Sequence, residues 1–394
     1  MENFVFEYPT KVYFGNGAVK RHLAGELGKY GPTVMLAYGG GSIKRNGVYE
    51  EVLSVLESCG KKVVEFGGIM PNPTYAKVQE GAAIARENKV DLILAVGGGS
   101  AIDCSKIVAL QANFEGDVWE EELERHSFPS VKPVPLGAIV TVSGTGSEMN
   151  GGGVITNEQK RIKTGLFAAA PAFSILDPMY TMSVPFAQVM SGAFDTLSHA
   201  METYFGYPDG DNVSDDINEA VMRSVIRNMR VLISDSGNYE ARSNLMWDSA
   251  MAENGILKIG KKTDFEVHMM EHQLGAYTDC NHGMGLAVLH PVYYRHIVRE
   301  GLAKFVRFAK NVWDVPAEGK TDIRLALAGI DALAAFIKEC GLPSRLTELK
   351  MKARPEELLS DRALEEIAYS TTILPGSYKR MTGGEIYEIL KECM

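Results

Sequence analysis

Three apolar runs, each closed by a glycine-rich turn and two of them followed by a helical stretch, constrain this chain more than any other feature. PTVMLAY (32–38) runs into GGGS, VDLILAV (90–96) runs into GGGS again, and VPLGAIVTV (134–142) runs into SGTGSE (143–148). KKVVEF (61–66) reads as a further strand, while TYAKVQEGAAIARENK (74–89) and SAIDCSKIVALQA (100–112) have helical spacing. Continuously apolar strands suit a sheet buried on both faces, and strand–glycine–helix repeats predict a parallel sheet. After about residue 180 the strand-like runs nearly vanish and helical patterns follow one another, from AFDTLSHAMETYFG to GGEIYEILKECM. The expected architecture is a Rossmann-like α/β domain over 1–180 and an all-helical domain over 181–394. The boundary falls near LDPMYTMSVP (176–185).

A chain of 394 residues exceeds what one core usually covers, which agrees with two domains. Its net charge of −10 opposes nucleic acid and anionic membrane as partners. No stretch approaches the roughly 18 apolar residues of a membrane span. The N-terminal MENFVFEYPT lacks the basic and apolar regions of a signal peptide. Five cysteines, odd in number and without a CxxC, read as reduced thiols, so a cytoplasmic location is expected.

Glycines at the carboxyl end of a parallel strand let backbone N–H groups approach a phosphate, and a following helix N-terminus favours the anion. One such loop is as often a mere tight turn. Three from one sheet predict a shared dinucleotide site, although none is a full GxGxxG or Walker A motif. The first strand ends at Tyr38-Gly39 with no acid to hold a ribose, and Ser42, Lys44 and Arg45 follow. A hydroxyl and two cations suit a 2′-phosphate, so NADP(H) is favoured over NAD(H).

Asp195 and His199 stand at i, i+4, as do His268 and His272, with His282 ten residues further on. Each pair shares a helix face. A single pair is usually surface chemistry or a satisfied core group. Two pairs and a third histidine, in a chain with only eight, point to a divalent metal site with room for substrate. His290 and His296 lie in HPVYYRH, which reads as a helix start and is taken as structural. His22 and His126 receive no role.

Together these segments resemble the iron-containing (group III) alcohol dehydrogenase family, in its butanol dehydrogenase branch, over nearly the whole chain. The resemblance is carried by YFGNGAVKRH (13–22), PNPT (71–74), GGGSAIDCSK (97–106), TVSGTGSE (141–148), ILDP (175–178), the Asp195/His199 helix and the HxxxHx₉H segment. It implies hydride transfer between NAD(P)(H) and a small primary alcohol or aldehyde such as butanol or butanal. It implies Fe(II), sometimes replaced by zinc, on Asp195, His199, His268 and His282, with His272 moving the alcohol proton. Cofactor contacts are implied at Gly39, Gly40, Ser42, Asn72, Gly97, Gly98, Ser100, Asp103, Thr141, Ser143 and Thr145, and at Lys163. The reaction is expected where the two domains meet. A homodimer is implied as well, and VFEYPTKVYFG (5–15) has the alternation of an edge-pairing hairpin. Neutral histidines are needed as ligands, so metal affinity should fall at acid pH. Competing readings are a glycerol dehydrogenase-like enzyme, a dehydroquinate synthase-like lyase, and a nucleotide- and metal-binding protein without turnover.

Overall fold

A computed structural model describes residues 2–375 and 378–394. The chain divides into two compact units: Glu7–Val184, and Pro185–Met394 together with the N-terminal residues up to Phe6.

The first unit is built on a parallel sheet of six strands. Its elements are β1 (Lys11–Phe14), α1 (Ala18–Leu27), β2 (Thr33–Tyr38), α2 (Ser42–Arg45), α3 (Val48–Ser58), β3 (Lys62–Phe66), α4 (Tyr75–Glu87), β4 (Leu92–Gly97), α5 (Gly99–Asn113), β5 (Leu136–Val140), β6 (Gly152–Asn157), β7 (Ile162–Phe167) and β8 (Phe173–Leu176). The sheet order is β1-β8-β5-β4-β2-β3, with every pairing parallel. The strands read from their apolar runs are the central ones, and β2, β4 and β5 are buried at every position. Winding outward from β2 goes one way to β3, and from β4 the other way to β5, β8 and β1. The switch point between β2 and β4 is where open α/β sheets bind ligands.

Two parts of this unit differ from expectation. Residues 5–15 do not form a hairpin. Only Lys11–Phe14 is a strand, and it pairs parallel with β8 at the sheet edge. Its burial does not alternate: Val12 and Tyr13 are half-buried and Lys11 and Phe14 exposed, as suits a short strand at the sheet edge. The antiparallel ribbon β6–β7 had no clear signal, because GGVITN and IKTGLF carry glycines and no long apolar run.

The second unit is helical: α6 (Phe186–Tyr204), α7 (Val213–Ser234), α8 (Tyr239–Glu253), α9 (Glu266–Thr278), α10 (His282–Ile297), α11 (Leu302–Asn311), α12 (Asp322–Glu339), α13 (Pro355–Leu358), α14 (Asp361–Ser370) and α15 (Gly383–Glu392). Among the described residues, no helix is long and apolar enough to cross a membrane. HPVYYRH is not a helix start. Helix α10 begins at His282, where the Asn281 side chain accepts from Met284 N–H (3.2 Å), and Pro291 lies inside it. Proline is common in first helical turns, which is why the sequence misleads here. His290 is indeed structural: it is fully buried, its Nε2 meets Ser198 Oγ at 2.6 Å, and burial pushes its pKa down to about 3.

Candidate metal centre and nucleotide-binding loops

The three glycine-rich turns leave adjacent strands. Gly39 and Gly40 follow β2, with Ser42, Lys44 and Arg45 on α2; Gly97 ends β4, with Gly98 and Ser100 at the start of α5; Thr141, Ser143 and Thr145 follow β5. Helix α5 has no side-chain cap at Gly98, and an uncapped helix N-terminus favours an anion. The second and third loops pack tightly: a Cβ on Gly99 would overlap the Thr145 side chain. Asn72 sits in left-handed backbone (φ 51) just before α4. Lys163 on β7 is buried and pairs with Thr156, which also bridges to Thr74, so it lies beside the PNPT turn.

Asp103 has an internal part. One carboxylate oxygen accepts from the Ser147 hydroxyl and the other from Val154 N–H (3.1 Å), so it ties α5 to the loop after β5 and to β6.

The first loop holds a residue that the sequence reading missed. Glu65, on β3, lies beside Lys44. Lys44 Nζ donates to Glu65 Oε2 (3.2 Å) and stands 4.9 Å and 4.3 Å from the ring centres of Tyr38 and Tyr49. The Tyr38 hydroxyl donates to the same carboxylate (2.6 Å), and so does that of Tyr49. The hydroxyls of Tyr38 and Tyr49, and then Lys44, hold the Glu65 carboxyl below the usual range. Strand β2 carries no acid at its end, but its neighbour β3 supplies one.

In the helical unit, α6 presents Asp195 and His199 one turn apart, α9 presents His268 and His272, and α10 opens with His282. Asp195 Oδ1 lies 3.7 Å from His199 Nε2, 3.6 Å from His268 Nε2 and 3.4 Å from His282 Nε2. These separations exceed hydrogen-bond length. They match donors around one ion: at metal–ligand distances of about 2.1 Å, tetrahedral neighbours stand about 3.4 Å apart. Asp195 Oδ1 and His268 Nε2 are buried and make no hydrogen bond, which is costly unless something fills the space between them. The residues therefore fit a divalent ion.

Glu271, His272 and His282 form one grouping, and Asp195, His268 and His282 form another that shares His282. His199 stands at the edge of the latter, stacked on His268 with ring centres 4.7 Å apart. Burial alone would raise the Asp195 carboxyl, but the histidines around it hold it well below the usual range. Burial depresses His268, yet Glu202 and Asp195 outweigh it and raise it to about 10.

Three further residues build this centre. Glu202 lies on α6 at i+7 from Asp195, and its carboxylate meets His268 Nδ1. Glu271 on α9 meets His282 Nδ1 in the same way. Gly283, beside His282, lets α10 touch α6, because a Cβ there would overlap the Ser191 carbonyl. The i, i+4, i+7 spacing of Asp195, His199 and Glu202 was the available signal.

The family model "Iron-containing alcohol dehydrogenase" matches residues 9–178, and that of the "Fe-containing alcohol dehydrogenase family, C-terminal" matches 189–394. The chain belongs to the iron-containing alcohol dehydrogenase family. It is 39% identical to a probable NADH-dependent butanol dehydrogenase of Bacillus subtilis, covering 99% of each chain. It is 34% identical to an NADPH-dependent aldehyde reductase of Escherichia coli, over 88% of this chain and 89% of that one. The crystal structure of an NADH-dependent butanol dehydrogenase from Thermotoga maritima superposes with a TM-score of 0.91 at 35% identity, covering 100% of this chain and 99% of that one.

Proposed function

We propose that this protein interconverts small primary alcohols, such as butanol, and their aldehydes, using Fe(II) and NAD(P)(H). The observation that carries this is one buried carboxylate oxygen, on Asp195, ringed by three imidazole nitrogens at 3.4–3.7 Å. Asp195, His199, His268 and His282 would hold the ion. A bound ion would supply Lewis acidity, and a bound nicotinamide the hydride chemistry.

The chain's own residues do the rest. Asp195 brings the negative charge to the ligand set, and the histidines supply neutral donors from three helices. His272 lies one helical turn beyond His268, with its ring centre 5.6 Å from that of His282. It is buried, and can receive the alcohol proton in oxidation and return it in reduction. The loops after β2, β4 and β5 offer backbone N–H groups and hydroxyls to the dinucleotide phosphates, from Gly39, Gly40, Gly97, Gly98, Ser100, Thr141, Ser143 and Thr145. Asn72, in the turn before α4, and Lys163, on β7, are further contacts proposed for the cofactor. The expected setting is a homodimer in the cytoplasm.

For the cofactor we favour NADP(H) over NAD(H). Support comes from a first loop with no acid of its own and from Ser42, Lys44 and Arg45. Glu65 tempers the preference, because a 2′-phosphate must share Lys44 with a carboxylate. Glu65→Gln is expected to tighten NADPH binding about two- to fivefold, the scale of a partly exposed charge pair, and to leave NADH unchanged. Replacing Lys44 and Arg45 with alanine is expected to weaken NADPH about tenfold more than NADH. Fluorescence titration with both nucleotides reads these effects. Equal losses for the two nucleotides would remove the 2′-phosphate assignment.

The function is tested by butanal-dependent oxidation of NADPH and NADH, using protein loaded anaerobically with Fe(II). Turnover that a chelator abolishes and added Fe(II) restores is expected. Loaded protein that turns over neither nucleotide would overturn the proposal.

A further inference from the structure

We infer that Glu202 and Glu271 are positioning residues, each fixing one metal-binding imidazole in the tautomer and ring orientation that coordination requires. The inference rests on the metal reading of Asp195, His268 and His282.

An imidazole binds a metal through the nitrogen that carries no proton, so Nε2 is free only when the proton sits on Nδ1. A carboxylate facing Nδ1 demands that proton. Glu202 faces Nδ1 of His268, and Glu271 faces Nδ1 of His282. Both acids are fully buried, where a carboxylate is retained only if its oxygens are satisfied. The opposite nitrogens, Nε2 of His268 and of His282, lie 3.6 Å and 3.4 Å from Asp195 Oδ1. Each acid therefore stands behind its histidine, on the side away from the centre.

Glu202 does more than hold a ring. Its other oxygen accepts from Val267 N–H (2.7 Å), in the first turn of α9. A carboxylate is favoured there, because the first N–H groups of a helix lack partners and carry its positive dipole end. Helix α6 thus supplies two ligands and, one further turn along the same face, the anchor that sets the height and rotation of α9. Glu271 belongs to α9 and holds the first residue of α10, so the links run from α6 to α9 to α10.

His199 differs. Its ring is buried, yet its Nδ1 makes no hydrogen bond. His268 and His282, which group with Asp195, each have a carboxylate at Nδ1, whereas His199 has no hydrogen bond there. Electrostatics acts in the same direction. Glu202 and Glu271 with Asp195 place three acids around neutral imidazoles, and the surplus negative charge attracts a divalent ion.

The test is metal affinity, not turnover. Co(II) and Zn(II) are titrated into metal-free wild type, Glu202→Gln and Glu271→Gln against a chromophoric chelator, and the visible Co(II) bands are recorded. Glutamine keeps the shape and removes the charge. Each variant is expected to lose about 10–100-fold in affinity and to shift the Co(II) bands, which reports altered ligand geometry. Restoring the charge with Glu202→Asp or Glu271→Asp should recover part of the loss. Affinities within twofold of wild type, with unchanged bands, would overturn the inference.

A measurement on the wild type needs no variant to fold. In the Zn(II) form, ¹⁵N-edited NMR of the histidine rings should show His268 and His282 protonated at Nδ1 and metal-bound at Nε2. The reverse tautomers would overturn the inference while leaving the metal reading intact. Absence of tight Co(II) binding by the wild type would bring down both.

Discussion

Asp195→Ala is expected to emerge from anaerobic Fe(II) loading and desalting with almost no metal, and with turnover lowered about 10³-fold, the loss of roughly 4 kcal/mol of transition-state stabilisation. Asp195 Oδ1 is the one atom close to all three imidazole nitrogens, at 3.4–3.7 Å. It is also the only anion in the proposed ligand set, and a buried divalent ion needs negative charge among its ligands. The same change should appear in unfolding. A ligand that binds only the native state stabilises it by about 2.7 kcal/mol at a hundredfold excess over its dissociation constant. Wild-type protein should therefore melt several degrees higher with metal than without, and Asp195→Ala should melt alike in both. Metal content at the wild-type level would show that the ligand set is wrong.

What could be read from the sequence, and what could not, follows from the range of each interaction. Strands β2, β4 and β5 announce themselves because burial on both faces makes them continuously apolar. The ribbon β6–β7 escaped because its stability comes from cross-strand pairing, which leaves no local period in GGVITN or IKTGLF. The proposed ligands Asp195, His199 and His268 stood out through i, i+4 spacing, which is local helix geometry. Glu271 was hidden beside His272, since acids next to histidines are common and its partner, His282, lies eleven residues away. Glu65 was hidden for a tertiary reason. Nothing in KKVVEF says that its acid will lie beside Lys44; the parallel register of β2 and β3, with Leu36 opposite Glu65, brings it there. Reading only the end of β2 for a cofactor acid therefore overstated how free Lys44 is.

His272→Ala is expected to keep its metal and lose about 10²–10⁴-fold in kcat, the contribution of a positioned proton-transfer group. The prediction decides between two groupings that share His282. In one, Asp195, His268 and His282 hold the ion, with His199 beside them; in the other, Glu271, His272 and His282 come together. Glu271 argues for the first, because its carboxylate is hydrogen-bonded to the outer nitrogen of His282 and holds that ring from behind. His199 argues for it too, with Nε2 3.7 Å from the central Asp195 oxygen. His199→Ala should then release metal, while His272→Ala retains it with an unchanged Co(II) spectrum. Added imidazole should restore part of the His272→Ala turnover, since a small base can enter the vacated space, and should do nothing for His199→Ala. The opposite pattern, with metal lost from His272→Ala and kept by His199→Ala, would exchange the two roles: His272 would become the ligand and His199 the proton carrier.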